Sequence, residues 1–260
     1  MYKEIALTSF KEEVIYRIEF IMSIIGSIVY IVVFWFFWNA IFKTYGAESL
    51  KGFTLPMMIT YSSISAILVL YSRSFIEFSI EENVKTGFIS VILTKPVNYP
   101  LYHLFRELGA TLFKFLTRGI PIFLTAFFIL NIFLPSSPIF FVSVFLGFFI
   151  NFFIALITGF WSFWTSGSIW GIRFARQVIA DILSGAIIPI FLFPAWLSNI
   201  AYALPFQATQ SIPLLIYIGK INGLEIFNAL LVQVFWIILL GGLSLVMWKS
   251  AEKKTLSYGG

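Results

Sequence analysis

The chain of 260 residues contains no cysteine and only one histidine, His103. The missing cysteine excludes disulfide bonds, thiol catalysis and cysteine metal sites, and a lone histidine cannot form a multi-histidine metal site. No Ser/His/Asp set falls at one depth for nucleophilic catalysis, and no G-x-x-x-x-G-K-[ST] phosphate loop occurs. We therefore expect no catalytic residue, no metal and no cofactor on this chain. His103 is interpreted as a structural or interfacial residue.

Charged residues are also scarce. They make up 11% of the sequence, whereas hydrophobic residues make up 60%, and the mean hydropathy is +0.95. This composition is typical of an all-α integral membrane protein and leaves no room for a sizeable soluble domain. The net charge of +5 is interpreted as a topology signal, so we expect no nucleic-acid partner. Residues 1–260 are treated as a single transmembrane domain in a lipid bilayer.

Six segments are apolar and close to the length of about 20 residues that a helix needs to span a bilayer. They are Phe20–Phe42, Phe53–Tyr71, about Thr111–Leu134, Ile139–Trp164, about Ile179–Leu197 and Ile226–Trp248. Six spans place both termini on one side of the membrane. Of the 17 Lys and Arg residues, only Lys43, Lys51 and Lys220 fall on the opposite side. The positive-inside rule therefore predicts cytoplasmic termini in a plasma or inner membrane.

The N-terminal residues 1–18 have an amphipathic pattern. Ala6, Leu7 and Phe10 recur at three- and four-residue steps, with charged residues around them. Such a pattern predicts a helix that lies at the membrane interface. An ordinary charged lead-in to the first span is the alternative.

The segment before the last span, residues 198–220, is apolar and aromatic. Pro205 and Pro213 divide it into pieces that are too short to cross a bilayer. Irregular backbone at membrane depth is tolerated only when it is buried in protein or lines a cavity. We therefore predict a re-entrant extracytoplasmic hairpin of short helices.

A cluster of charged residues interrupts the hydrophobic sequence at residues 77–98. It contains five charged residues, namely Glu77, Glu81, Glu82, Lys85 and Lys95. Each charge would cost about 2.5–3.5 kcal/mol or more at mid-bilayer, so this segment is expected to lie outside the membrane, in the cytoplasm. It also holds too many apolar residues for a solvated loop. These features predict a segment that binds a partner at the membrane surface.

Two spans carry stripes of small and polar residues at helical spacing. The stripe on the second span consists of Thr60, Ser63, Ile67, Tyr71 and Ser74, and that on the fourth of Asn151, Ala155, Thr158, Ser162 and Thr165. Helix–helix packing in membranes favours such residues. A translocation path lined by weak hydrogen-bonding groups is the other interpretation, and the residues alone leave both open.

Asp181 is the one acidic residue well inside a predicted span. Intramembrane acids are functional candidates by default. Because Arg173, Arg176 and Gln177 lie within one or two helical turns, we expect Asp181 to form a structural ion pair with the arginines or a hydrogen bond.

Together these features resemble the permease subunits of type-2 ATP-binding-cassette (ABC) exporters over nearly the whole length of the chain. The most specific likeness lies in residues 77–98, which correspond to the coupling helix of the family and which we call the coupling segment. The acidic, glycine, leucine-rich and Pro-Val positions of the family are filled there by Glu81-Glu82, Gly87, Ile92-Leu93 and Pro96-Val97. Where many relatives have Gly-Thr-Leu-Glu, this chain has Gly87-Phe88-Ile89-Ser90. That departure leaves the subfamily open.

The resemblance implies roles for particular residues and partners. The coupling helix would dock on a separate ATPase subunit, which would hold ATP and Mg, through Glu77, Phe78, Glu81, Glu82, Val84, Gly87, Phe88, Leu93 and Pro96. A second permease chain, identical or paralogous, would complete a path lined by the second and fifth spans, with Pro205 and Phe206 in an outer gate. The expected cargo is hydrophobic or amphipathic, such as a drug or lipid. The alternatives are a permease for polysaccharide or glycolipid export, an integral-membrane lipid-modifying enzyme and a non-transporting scaffold.

Overall fold

The computed structural model of the chain describes residues 2–12, 17–46, 48–165 and 167–258. The helices are α1 (Tyr2–Glu12), α2 (Arg17–Tyr45), α3 (Leu55–Ser72), α4 (Ile76–Lys85), α5 (Phe88–Leu93), α6 (Tyr99–Lys114), α7 (Ile120–Leu130), α8 (Ile139–Phe160), α9 (Trp170–Leu183), α10 (Ala195–Ala203), α11 (Ser211–Tyr217) and α12 (Leu224–Tyr258). Strands β1 (Ser49–Leu50) and β2 (Phe53–Thr54) pair antiparallel between α2 and α3. The all-α prediction is therefore confirmed.

Within the described residues, five helical stretches are long and apolar enough to cross a membrane. They are Ile24–Tyr45, Leu55–Lys85, Tyr99–Leu130, Ile139–Phe163 and Leu224–Lys254. They overlap five of the six predicted spans, and α6 and α7 form one of them through a π-helical turn. That helix ends at Leu130, before the predicted Leu134, because Asn131 adopts a left-handed conformation with φ 52°. Asparagine is one of the few residues that accept this conformation after a helix.

The predicted fifth span, about Ile179–Leu197, is not one continuous helix. Helix α9 ends at Leu183, Gly185 has φ +79°, and irregular backbone continues to Pro189. Two carbonyl groups of this break are satisfied by side chains of α3. The hydroxyl of Tyr61 donates to the Gly185 carbonyl at 2.7 Å, and that of Ser65 donates to the Ala186 carbonyl at 2.7 Å. Irregular backbone is thus stabilised here by burial in protein.

The broken segment nevertheless passes the whole length of α3. Near one end, Arg173 donates to the carbonyl of Ser74, just after α3 ends, and at the other end the ring of Phe191 stacks on Phe53, just before α3 begins. The 18 residues of α3 correspond to about 27 Å of helix. These contacts support a sixth crossing, which stays a prediction.

Helix α1 packs on the first half of α6. The rings of Tyr2 and Phe105 stack at a centroid distance of 5.1 Å, and a Cβ atom added to Gly109 would meet the backbone of Ala6. Glycine therefore allows the close approach of the two helices. The predicted N-terminal helix is present, its position at the membrane interface stays a prediction, and residues 13–16 lie outside the described residues.

The segment before the last span contains short helices, as predicted. Between α10 and α11, its backbone is bound by side chains from the long helices. The buried Gln233 of α12 donates to the Ala208 carbonyl at 2.7 Å, and the Tyr71 hydroxyl of α3 donates to the Thr209 carbonyl. The amide of Gln210 donates to Ser72 Oγ at 2.9 Å. The hairpin is thus packed inside the bundle, and its depth in the membrane stays a prediction.

Candidate functional site

The coupling segment folds as two short helices that follow directly from α3. A break at residues 73–75 separates α3 from α4, and Gly87, with φ +71°, separates α4 from α5. Glycine adopts this left-handed conformation without the steric cost that a Cβ atom would impose. Asn98 then caps α6 by accepting a hydrogen bond from the Leu101 N–H at 3.1 Å.

Glu77 is fully buried and binds two arginines of α9. Its Oε1 lies 2.7 Å from Arg176 Nη2, and its Oε2 lies 3.8 Å from Arg173 Nε. The predicted ion pair of these arginines with Asp181 is therefore wrong, whereas the hydrogen bond that was the alternative is present. The two arginines face the coupling segment, and Asp181 instead accepts a hydrogen bond from Gln177 Nε2 at 2.8 Å.

Arg173 is held from several directions by residues next to Glu77. Its Nη2 donates to the Ser74 carbonyl at 3.3 Å, and its guanidinium lies 4.5 Å from the centre of the Phe78 ring. A guanidinium over an aromatic face is attracted by the ring quadrupole. Phe78, predicted to contact an ATPase, therefore contributes to binding α9.

Glu81 is also occupied within the chain. Its Oε1 accepts from Lys85 Nζ at 2.6 Å and from the backbone N–H of Ile169 at 3.2 Å. Only 8% of the Glu81 side chain is exposed. Glu77 and Glu81 are thus buried rather than the exposed acids predicted for docking, because α4 turns Glu77 toward the arginines of α9 and Glu81 toward Ile169, just before α9.

The other predicted docking residues differ in exposure. Glu82, Gly87, Phe88 and Pro96 are exposed, whereas Val84 and Leu93 are half-buried and pack against the buried Ile80 cluster of α4, α5 and α8. The exposed face is therefore smaller than the sequence indicated.

An open cleft of about 470 Å³ lies beside this exposed face. It is lined by Ser79, Glu82, Asn83, Thr86, Gly87, Phe88, Val91, Tyr102 and Arg106. Phe88 and Val91 are each 48% exposed at this cleft. Arg106 crosses from α6 to bind Glu12 of α1 at 3.2 Å and Ser79 of α4 at 3.4 Å. Sequence reasoning did not include Val91, Tyr102 and Arg106 in the site, because their meeting depends on how α6 lies against α4.

The polar stripe of the second span lies inside the chain. Its five predicted path residues, Thr60, Ser63, Ile67, Tyr71 and Ser74, are all buried. Ser63 donates to the Ile59 carbonyl of its own helix at 2.8 Å, and Asn151 of the fourth-span stripe donates to the Tyr71 carbonyl at 2.9 Å. In this conformation both stripes take part in packing, and a path along them stays a prediction.

The sequence model of the ABC-2 family transporter proteins matches residues 28–259. The chain belongs to this family. It is therefore a multi-pass permease subunit of an ABC transporter and a transport protein rather than an enzyme. No curated protein matches the sequence significantly.

This ABC-2 permease has its predicted outer-gate residues at the turn after α10. Pro205 is buried, and Phe206 is half-buried and packs against the core of the bundle. Among the residues that the structure describes, no three His, Asp or Glu side chains are grouped so that they could hold a metal ion.

Proposed function

We propose that the chain is the membrane-spanning subunit of an ATP-driven exporter in a plasma or inner membrane, with both termini in the cytoplasm. A second permease chain, identical or paralogous, completes the translocation path. A separate ATPase subunit binds ATP and Mg and docks on the coupling segment. The proposed cargo is hydrophobic or amphipathic, such as a drug or lipid, because the chain offers few fixed charges for a polar one.

The observation that carries the proposal is the exposed face formed by Glu82, Phe88 and Val91 beside the cleft. A carboxylate next to two large, half-exposed apolar side chains suits a partner surface that offers a basic residue with apolar neighbours. Charge complementarity of this kind favours one partner and disfavours those with like charge.

The buried contacts of Glu77 give the docked segment a connection to the fifth crossing. A displacement of α4 by the ATPase would act on α3 through the three residues that join the two helices, and on α9 through Arg173 and Arg176. Since a buried ion pair is costly to separate, α4 and the start of α9 are expected to move together. The coupling segment would thus drive both elements that the resemblance places along the path.

The test is to purify the full-length permease with its ATPase and to replace Glu82 by Lys. We expect ATPase activity of the complex to fall by roughly tenfold or more, because a like charge would face the basic surface of the partner. Glu48→Lys is the matched control, since Glu48 is an exposed acid that the predicted topology places on the opposite side of the membrane. Both variants should insert in the membrane like the parent.

Failure to recover any ATPase subunit with the full-length chain would overturn the proposal. Equal activity of the parent and the Glu82→Lys complex would remove the docking role of this face.

A further inference from the structure

The β-hairpin at residues 49–54, which we call the strap, contacts a distant part of the chain. Its two turn residues, Lys51 and Gly52, have φ values of 49° and 83°, as in the tight turns that favour two-residue hairpins. Lys51 Nζ donates to the Phe191 carbonyl at 2.7 Å. The ring of Phe53 stacks on that of Phe191 with a centroid distance of 3.7 Å and an angle of 5°. The strap is therefore fixed to the second half of the broken fifth crossing.

A second lysine binds the strap from the end of the hairpin. Lys220 Nζ donates to the Gly52 carbonyl and lies 4.5 Å from the centre of the Phe53 ring. The backbone of Lys220 is positioned by the end of α11, where Gly219 has φ +71° and the Lys220 N–H donates to the Leu215 carbonyl at 2.9 Å. This arrangement is a typical glycine-based helix end.

These contacts use most of the positive charge that the sequence assigns to the outer side. The positive-inside count assigns three cations to the outer side, and two of them, Lys51 and Lys220, bind carbonyl oxygens at the strap. The third, Lys43, is exposed near the end of α2. The contacts of Lys51 and Lys220 are single hydrogen bonds to neutral groups, which break more easily than a buried ion pair.

We propose that the strap closes the outer end of the permease by holding Phe191 and Lys220 together, and that its release opens this end during transport. The closure depends only on the contacts above, whereas the opening during transport rests on the proposed function.

The absence of native cysteine allows a direct test of the closure. Ile190→Cys places one thiol beside Phe191 at a position that is 1% exposed, and a membrane-impermeant maleimide reports its access from outside intact cells. We expect the double variant Lys51→Met, Lys220→Met to raise the labelling rate about tenfold, as the loss of two exposed hydrogen bonds would do.

Lys43→Met is the matched control and should leave the labelling rate unchanged. Phe53→Leu, which keeps an apolar side chain, should raise the rate through loss of the ring stack.

Two results would overturn the closure, namely rapid labelling in the parent or equal rates in the parent, the double lysine variant and Phe53→Leu. The opening is tested in the complex with the ATPase, where trapping with ATP and vanadate should change the labelling rate. If the labelling rate in an active complex is the same with and without the trapped nucleotide, the proposed opening is overturned. A faster rate in the lysine variants without any recovered ATPase supports the closure while the proposed function fails, so the two failures are distinguishable.

Discussion

At the end of the bundle that is predicted to be cytoplasmic, Arg173 and Arg176 bind a buried carboxylate, whereas at the predicted outer end Lys51 and Lys220 bind backbone carbonyl oxygens. Removal of one partner from a buried ion pair leaves an uncompensated charge, but removal of either lysine breaks an exposed hydrogen bond and leaves a carbonyl that water can solvate. The arginine contacts are therefore suited to move as a unit, and the lysine contacts to open and close.

The largest expected effect tests the cytoplasmic half of this comparison. Glu77→Gln should lower the free energy of unfolding by about 3–5 kcal/mol, because two arginines lose their buried counter-charge. Thermal unfolding of the detergent-solubilised chain measures the change. Asp181→Asn is the control, since it alters only the hydrogen bond with Gln177 and should cost far less. Similar losses in the two variants would contradict the assignment of the arginines to Glu77.

The next effect concerns the joint between α4 and α5. Gly87→Ala should destabilise the coupling segment by about 1–2 kcal/mol, since alanine is strained at φ +71° although no atom lies within 4 Å of the added Cβ. Hydrogen exchange of residues 76–93 in the full-length chain measures the loss. Gly26→Ala, also with open space but in an ordinary helical conformation, should not destabilise α2. Unchanged exchange in Gly87→Ala would show that the joint is not restrained.

The smallest effect compares the Lys85–Glu81 ion pair, whose lysine is half-exposed, with the buried pairs of Glu77. Lys85→Met should reduce stability by less than about 1 kcal/mol, because the Lys85 side chain is 50% exposed and its attraction to Glu81 is screened. Thermal unfolding at low and high salt checks this, and the difference from the parent should shrink as salt rises. A loss as large as that of Glu77→Gln would mean that exposure does not separate the two pairs.

Much of the architecture could be predicted from the sequence because length and apolar composition constrain membrane helices strongly. Five predicted spans are matched by long apolar helices, and the proline-broken segment before the last span contains short helices. Gly185 and Pro189 were visible signs of an interruption in the fifth span, yet the apolar run around them still read as a helix.

The site was less predictable because its contacts join residues that are far apart in the sequence. Local spacing predicts an ion pair of Asp181 with Arg173 and Arg176 or a hydrogen bond. The tertiary fold brings both arginines to Glu77 instead, and only the local hydrogen bond with Gln177 forms. The sequence shows that a residue is acidic. Only the packing of α4 shows whether its carboxylate is exposed to solvent, as in Glu82, or contacts another part of the chain.

The break in the predicted fifth crossing has a consequence for how the protein is made. On its own, this segment would carry the carbonyl groups of Gly185 and Ala186 into lipid without partners, at a cost of several kcal/mol. Tyr61 and Ser65, which satisfy those carbonyls, lie on a helix that leaves the ribosome much earlier. Biogenesis in the N-to-C direction therefore supplies the hydroxyl groups before the segment that needs them, and the fifth crossing is expected to settle in the membrane only after α3 is in place.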